Sequence, residues 1–186
     1  MDEKRRVAVD LDELAGAFEN GFPDLSFYLD LESGEVAMVS ADTRCELDEI
    51  YQELDNGEDL NDARVSEAIR QRDVPDWMRE VLEEADRVER GFGTRYVRVP
   101  RVETHEAYRD MEDFIFTVGD ERLRERLSDA IDGRGAFGRF KQVLSARDDE
   151  RERWFAFKDA RLRERIVAWL ADEGIALIPR PSHHLG

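Results

Sequence analysis

The feature that most constrains the fold is a change of hydrophobic period near residue 25. Upstream, Leu11, Leu14, Ala15 and Phe18 recur at helical intervals behind the capping-box spacing Asp10-Leu-Asp-Glu13, and Gly21 and Pro23 stop that run. From Leu25 the period is two. Leu25, Phe27, Leu29 and Leu31 alternate with Ser26, Tyr28 and Asp30, as in a half-buried strand. Ser33-Gly34 supplies a turn and Val36 to Val39 a second strand, which predicts a β-hairpin over residues 25–31 and 35–40. A lone hairpin is marginal in water, so a third strand is required. Residues 95–99, ahead of Pro100, meet that need, and residues 175–178 read as an edge strand.

The other periodic segments are helical. Thr43 to Glu46 has capping-box spacing and opens a helix with Leu47, Ile50, Tyr51 and Leu54 on one face, closed by Asn56-Gly57. Residues 56–75 are polar, with a short helix around Val65 and Ile69. Asp73-Val-Pro-Asp76 starts another, striped by Trp77, Val81, Ala85 and Val88. Beyond Pro100 four stripes follow: Tyr108, Met111, Ile115 and Val118; Leu123, Leu127, Ala130 and Ile131; Phe137, Phe140 and Leu144; Phe155, Leu162, Ile166 and Trp169. The predicted class is α+β, a small three-stranded antiparallel sheet with a mostly helical C-terminal half. It forms one domain over residues 1–178, its sheet-containing part at about 1–100 and its helical part at about 101–178. Residues 179–186 read as a flexible tail.

At 186 residues such a chain buries about 70% of the surface it exposes unfolded, so neither a disulfide nor a metal is needed for folding. The lone Cys45 suits a reducing compartment, and its acidic neighbours Glu46, Asp48 and Glu49 argue for a buried or half-buried structural thiol over a nucleophile. The opening residues lack the apolar stretch of a signal peptide and no apolar run has transmembrane length, which predicts a cytoplasmic protein with no membrane contact.

The net charge of −17 argues against bulk nucleic-acid binding, since like charges repel. That charge is uneven: residues 1–60 carry 18 acids and 4 bases, whereas residues 121–170 carry 10 acids and 13 bases. With 25 Arg against 3 Lys, the acidic, lysine-poor surface also suits a protein adapted to concentrated salt.

The net-basic stretch contains the densest meeting of glycine, aromatic and basic residues, Gly133-Arg-Gly-Ala-Phe-Gly-Arg-Phe-Lys141 followed by Trp154-Phe-Ala-Phe-Lys158. Two readings stand side by side. In one, Gly133 and Gly135 make an interhelical turn and the aromatics face a core. In the other, Gly133, Arg134, Gly135, Arg139, Lys141, Trp154 and Lys158 form an anion-binding surface, with backbone N–H groups at a helix N-terminus and Arg able to grip phosphate. Its ligand would be a phosphorylated or carboxylated partner, a nucleic-acid end or a protein. On the helix from Thr104, His105, Arg109, Glu112 and Asp113 share a polar face, so Glu112 or Asp113 is the candidate acid or base should the protein be an enzyme. No spacing matches a zinc site, P-loop, nucleophile elbow or dinucleotide fingerprint, so no metal or cofactor is expected.

Five blocks taken in order carry a resemblance: Tyr28-Leu-Asp-Leu-Glu-Ser-Gly-Glu35, Tyr96-Val-Arg-Val-Pro100, Tyr108-Arg-Asp-Met-Glu-Asp-Phe114, Gly133 to Lys141 and Trp154 to Asp159. Over roughly residues 10–176 the chain resembles the bacterial Uncharacterised Protein Family 0158. The resemblance implies a cytoplasmic bacterial protein without a known cofactor or assigned activity. It also implies that the Glu112–Phe114, Gly133 and Trp154 blocks belong to one recurring signature. Gly138 departs from the pattern, which favours a larger, often basic residue there. The leading reading is a non-catalytic binding or regulatory module. An interaction module using the acidic N-terminal half and a carboxylate enzyme are the alternatives.

Overall fold

A computed structural model describes residues 5–55 and 60–179, which divide into two compact units, one of residues up to Pro100 together with those from Glu173 onward, the other Arg101–Asp172. In the first unit the period-two segment forms β2 (Leu25–Asp30) and β3 (Val36–Ser40), joined by β4 (Tyr96–Arg98) in an antiparallel sheet of order β3-β2-β4. Tyr28 pairs with both Ala37 and Arg98, which sets the register. Burial is not confined to one face. Tyr28, Leu29 and Asp30 are consecutively buried, because Tyr28, Ala37 and Val39 pack on residues of the covering helices while Leu29 is enclosed on the opposite side.

The predicted edge strand exists, but elsewhere. Ile175–Pro179 (β5) pairs in parallel with Arg5–Val9 (β1) in a separate two-stranded sheet, from Arg5↔Ile175 to Val9↔Pro179. The sequence reading had no strand at residues 5–9. Five residues offer little alternation, and a parallel partner can lie anywhere in the chain. Pro179, predicted as the first residue of the tail, is the last of β5 and pairs with Val9; the rest of the predicted tail and the Asn56-Gly57 stop lie outside the described residues.

Asp30 ties the hairpin together. Its carboxylate accepts from the N–H groups of Glu32 and Ser33 and is gripped by Arg95, with Arg95 Nη2 at 2.6 Å. Burial pushes this carboxyl up, but the Arg95 and backbone hydrogen bonds outweigh it and hold it at about 2. The turn it braces is pressed against β1: Gly34 is buried with φ +77°, and a Cβ there would lie 1.9 Å from the Ala8 carbonyl oxygen.

Helix α1 (Leu11–Phe18) is capped by Asp10 as its sequence predicts. Helix α2 (Ala41–Leu54) starts two residues before Thr43. Ser40, extended at the end of β3, is the N-cap and accepts from Thr43 N–H at 3.0 Å, which puts Thr43 inside the first turn. Cys45 is exposed on this helix, because the buried face runs through Thr43, Leu47 and Ile50. Helices α3 (Asp62–Gln71) and α4 (Asp76–Gly91) follow. In α4 the buried row is Leu82, Ala85 and Val88; the predicted stripe holds at Ala85 and Val88, but Trp77 is exposed and Val81 only half-buried, with Leu82 taking the inward place. Asp86 is buried and accepts from Tyr51 Oη at 2.9 Å while pairing with Arg90 at 2.7 Å, and Arg90 also reaches Asp62, linking α2, α3 and α4. Burial and the Asp86 hydrogen bond push the Tyr51 phenol above its ordinary range.

The second unit consists of α5 (Thr104–Thr117), α6 (Glu121–Ile131), α7 (Ala136–Leu144) and α8 (Asp148–Asp172). Its core joins Met111, Phe114, Ile115, Leu127, Phe140 and Trp154. The Trp154 ring lies 4.9 Å from Phe140 and 5.2 Å from Phe114, both edge-on. The expectation that Phe137 and Phe155 face this core fails, since both are exposed. The inward rows are Ala136, Phe140 and Leu144 on α7 and Trp154, Leu162, Ile166 and Leu170 on α8.

Candidate functional site

The turn between α6 and α7 is built from glycines for a steric reason. Gly133 and Gly135 both have φ +76°, a left-handed conformation that side chains with a Cβ rarely adopt. Across this turn Arg139 reaches back to the end of α6. Its Nε donates to Ala130 O at 3.0 Å, its Nη2 to Asp132 O and its Nη1 to Arg134 O. A guanidinium is thus seated among carbonyls at a helix C-terminus, where both hydrogen bonding and the helix dipole favour a cation.

The candidate anion surface is therefore divided. Gly133, Arg134, Gly135 and Arg139 share the turn, but all three Arg139 nitrogens face main-chain oxygens. Arg134 and Lys141 are exposed, Lys158 is half-buried and already engaged, and Trp154 is 7% exposed within the aromatic core. Gly138 is exposed and a Cβ there meets nothing within 4 Å, so the larger residue favoured by the resemblance would fit. Arg139→Ala should cost about 1–2 kcal/mol in chemical denaturation by leaving the α6 carbonyls without their donor. Arg139→Lys should recover less than half of that, since one ammonium cannot span three oxygens. Unchanged stability in Arg139→Ala would remove the capping role.

The carboxylates of α5 separate in the same way. Asp113 pairs with Arg161 Nη2 at 2.6 Å. Asp110, which the sequence reading passed over, is buried and held by Arg165 through two hydrogen bonds of 2.7 Å. Hydrogen bonding to Asp110 pushes the Arg165 guanidinium above its ordinary range against the opposing effect of burial. These pairs join α5 to α8, and their signal in sequence was two acids three apart, Asp110 and Asp113, facing two arginines four apart, Arg161 and Arg165, each pair on one helix face. His105 and Arg109 are exposed.

Glu112 lies elsewhere, in a groove of about 790 Å³ between α5 and α6. Tyr108, Glu112 and Phe116, four residues apart, form the α5 side with Ile115 beneath them. Glu125, Asp129 and Asp132 line the α6 side. The Tyr108 hydroxyl donates to Ile131 O at 3.0 Å and closes one end. Arg124 lies at the other end and donates to Val118 O at 3.4 Å. Glu112, Glu125, Asp129 and Asp132 form no ion pair with any described residue, and Phe116 is 81% exposed. Sequence reasoning missed this groove because its two walls come from different helical stripes.

Among the described residues no group of three or more His, Cys, Asp or Glu could hold a metal ion, and no helix is long and apolar enough to cross a membrane. The class defined here is an α+β protein with a three-stranded antiparallel sheet in one unit and a grooved helical second unit. The chain belongs to the uncharacterised protein family UPF0158, whose model matches residues 71–185. A UPF0158 protein of Pseudomonas aeruginosa is 25% identical over 178 residues, 96% of this chain and 91% of that protein. UPF0158 proteins of Chlamydia trachomatis and Chlamydia muridarum are 25% and 24% identical over 159 residues, 84% of this chain. The alignments cover 38% and 37% of those two relatives, so the chain matches less than two-fifths of their length. No solved structure matches the chain.

Proposed function

We propose that the protein is a non-catalytic binding module that docks a protein partner in the α5–α6 groove. The allocation of charge in the helical unit carries this reading. Asp110, Asp113 and Arg139 are consumed in holding the helices together, whereas the groove carboxylates stand unpaired beside an exposed Phe116. Asp113 is neutralised by Arg161, and Glu112 shares its groove with three more acids. The cytoplasmic setting read from the sequence belongs to the same proposal.

A second reading keeps the anion surface at the start of α7. Gly135 offers no side chain to cap that helix, and Arg134 is exposed next to it. Capture from cell extract at matched salt, with the parent protein, Phe116→Ala and Arg134→Ala, separates the two. Loss of the captured partner with Phe116→Ala alone is the expected result. Loss with Arg134→Ala alone moves the function to the α7 turn, and retention by both variants overturns docking on the groove.

A further inference from the structure

The groove is graded along its length. Next to the α5–α6 turn lie Phe116 and Ile115, with Arg124 directed to the Val118 carbonyl and Glu125 beside it as the one acid at this end. Two helical turns away, about 12 Å at 1.5 Å per residue, lie Tyr108 and the carboxylates of Asp129 and Asp132, with Glu112 between the ends. The acidic end lies at the C-terminus of α6, where Arg139 caps the main-chain carbonyls from outside the groove lining and leaves the Asp129 and Asp132 carboxylates unpaired. Four carboxylates and one guanidinium give the groove a net charge of −3. Several carboxylates of this unit are taken up by arginines, Asp110 by Arg165, Asp113 by Arg161, Asp120 by Arg147 and Glu150 by Arg153, whereas the four that share the groove are not. What sets the groove acids apart is that they are unpaired, gathered in one concavity and adjacent to an exposed phenyl ring.

We infer that the groove takes a basic amphipathic segment of a partner protein, with one large apolar side chain against Phe116 and Ile115 and two or three Lys or Arg side chains about 6 to 12 Å along it, among Glu112, Asp129 and Asp132. This rests on the docking reading above and adds the chemistry of the occupant. Charge complementarity selects a cation, since an acidic segment would meet four like charges and nucleic acid would be repelled for the same reason. The exposed phenyl ring selects a segment over a simple polyamine, because a polyamine would satisfy the carboxylates and leave Phe116 in water.

Fluorescence anisotropy with the full chain and labelled 14-residue amphipathic peptides at 0.15 M salt tests this. The probes are a Leu/Lys peptide, a Leu/Gln peptide of the same pattern and a Lys/Gln peptide without an apolar face. The Leu/Lys peptide should bind at least tenfold more tightly than either of the others. Phe116→Ala should weaken it about fivefold, and Glu112→Gln with Asp129→Asn about tenfold. Glu152→Gln with Asp172→Asn, an equal charge change at exposed positions away from the groove, should weaken it less than twofold. Equal losses in the two double variants, or equal binding of the Lys/Gln peptide, overturn the inference by reducing binding to bulk attraction. Leu/Gln binding as tight as Leu/Lys and lost with Phe116→Ala overturns the basic occupant but leaves the docking groove standing. No peptide responding to Phe116→Ala overturns both.

Discussion

Gly34→Ala should destabilise the first unit by at least about 3 kcal/mol, whereas Gly93→Ala should cost only about 1 kcal/mol. The two glycines have nearly the same backbone, φ +77° and +79°, so the penalty for placing a Cβ on a left-handed residue is common to both. Their surroundings differ. Around Gly93 a Cβ finds nothing within 4 Å; at Gly34 it would lie 1.9 Å from Ala8 O and 3.2 Å from Val7 Cγ1. The Ala8 carbonyl belongs to β1, which is paired along its length with β5 and cannot withdraw without opening that sheet. Since domains of this size are stable by about 5–15 kcal/mol, the loss at Gly34 is a large share of the total. Urea denaturation of the two variants decides the matter: equal midpoints would mean that the hairpin turn does not rest on β1.

Trp154→Ala should cost about 3–5 kcal/mol and abolish the near-ultraviolet signal of a packed aromatic cluster. Phe155→Ala, one residue along the same helix, should stay within about 1 kcal/mol of the parent, because its ring is already half in solvent. The contrast separates two roles that the sequence left open for Trp154. A stacking platform for a ligand would lose binding on truncation and keep its fold. A core side chain bounded by Phe114, Phe140 and Phe157 would lose the fold and, through it, everything else. A Trp154→Ala variant that unfolds at the parent's denaturant midpoint would return the residue to the surface.

Local patterns were legible because their partners are local. The alternation from Leu25 to Leu31, the turn at Ser33-Gly34 and the third strand near Tyr96 each correspond to an observed element, although the faces did not follow the alternation, since Tyr28 and Asp30 are buried as well as Leu29. The glycines of the α6–α7 turn were readable for a similar reason: their conformation depends on missing side chains of their own. Where helical faces were misjudged the error was a rotation by one residue, as at Val81 against Leu82 and Phe155 against Trp154. A strip three or four residues wide on a helix admits two neighbouring centres, and only the packed partner selects between them.

The sequence by itself thus determined the α+β class, the hairpin, the succession of helices, the concentration of acid in the first sixty residues and the resemblance to the family that the chain proves to belong to. The tertiary structure alone decided that β5 returns to β1, that Arg139 closes α6, that Asp110 and Asp113 are spent on Arg165 and Arg161, and that Glu112 is not. The physical reason is the range of the interaction. Periodicity and turn geometry are properties of a few consecutive residues. The fate of a charge is settled by what folding brings within about 3 Å of it, from 55 residues away for Asp110 and Arg165 and from 65 for Asp30 and Arg95.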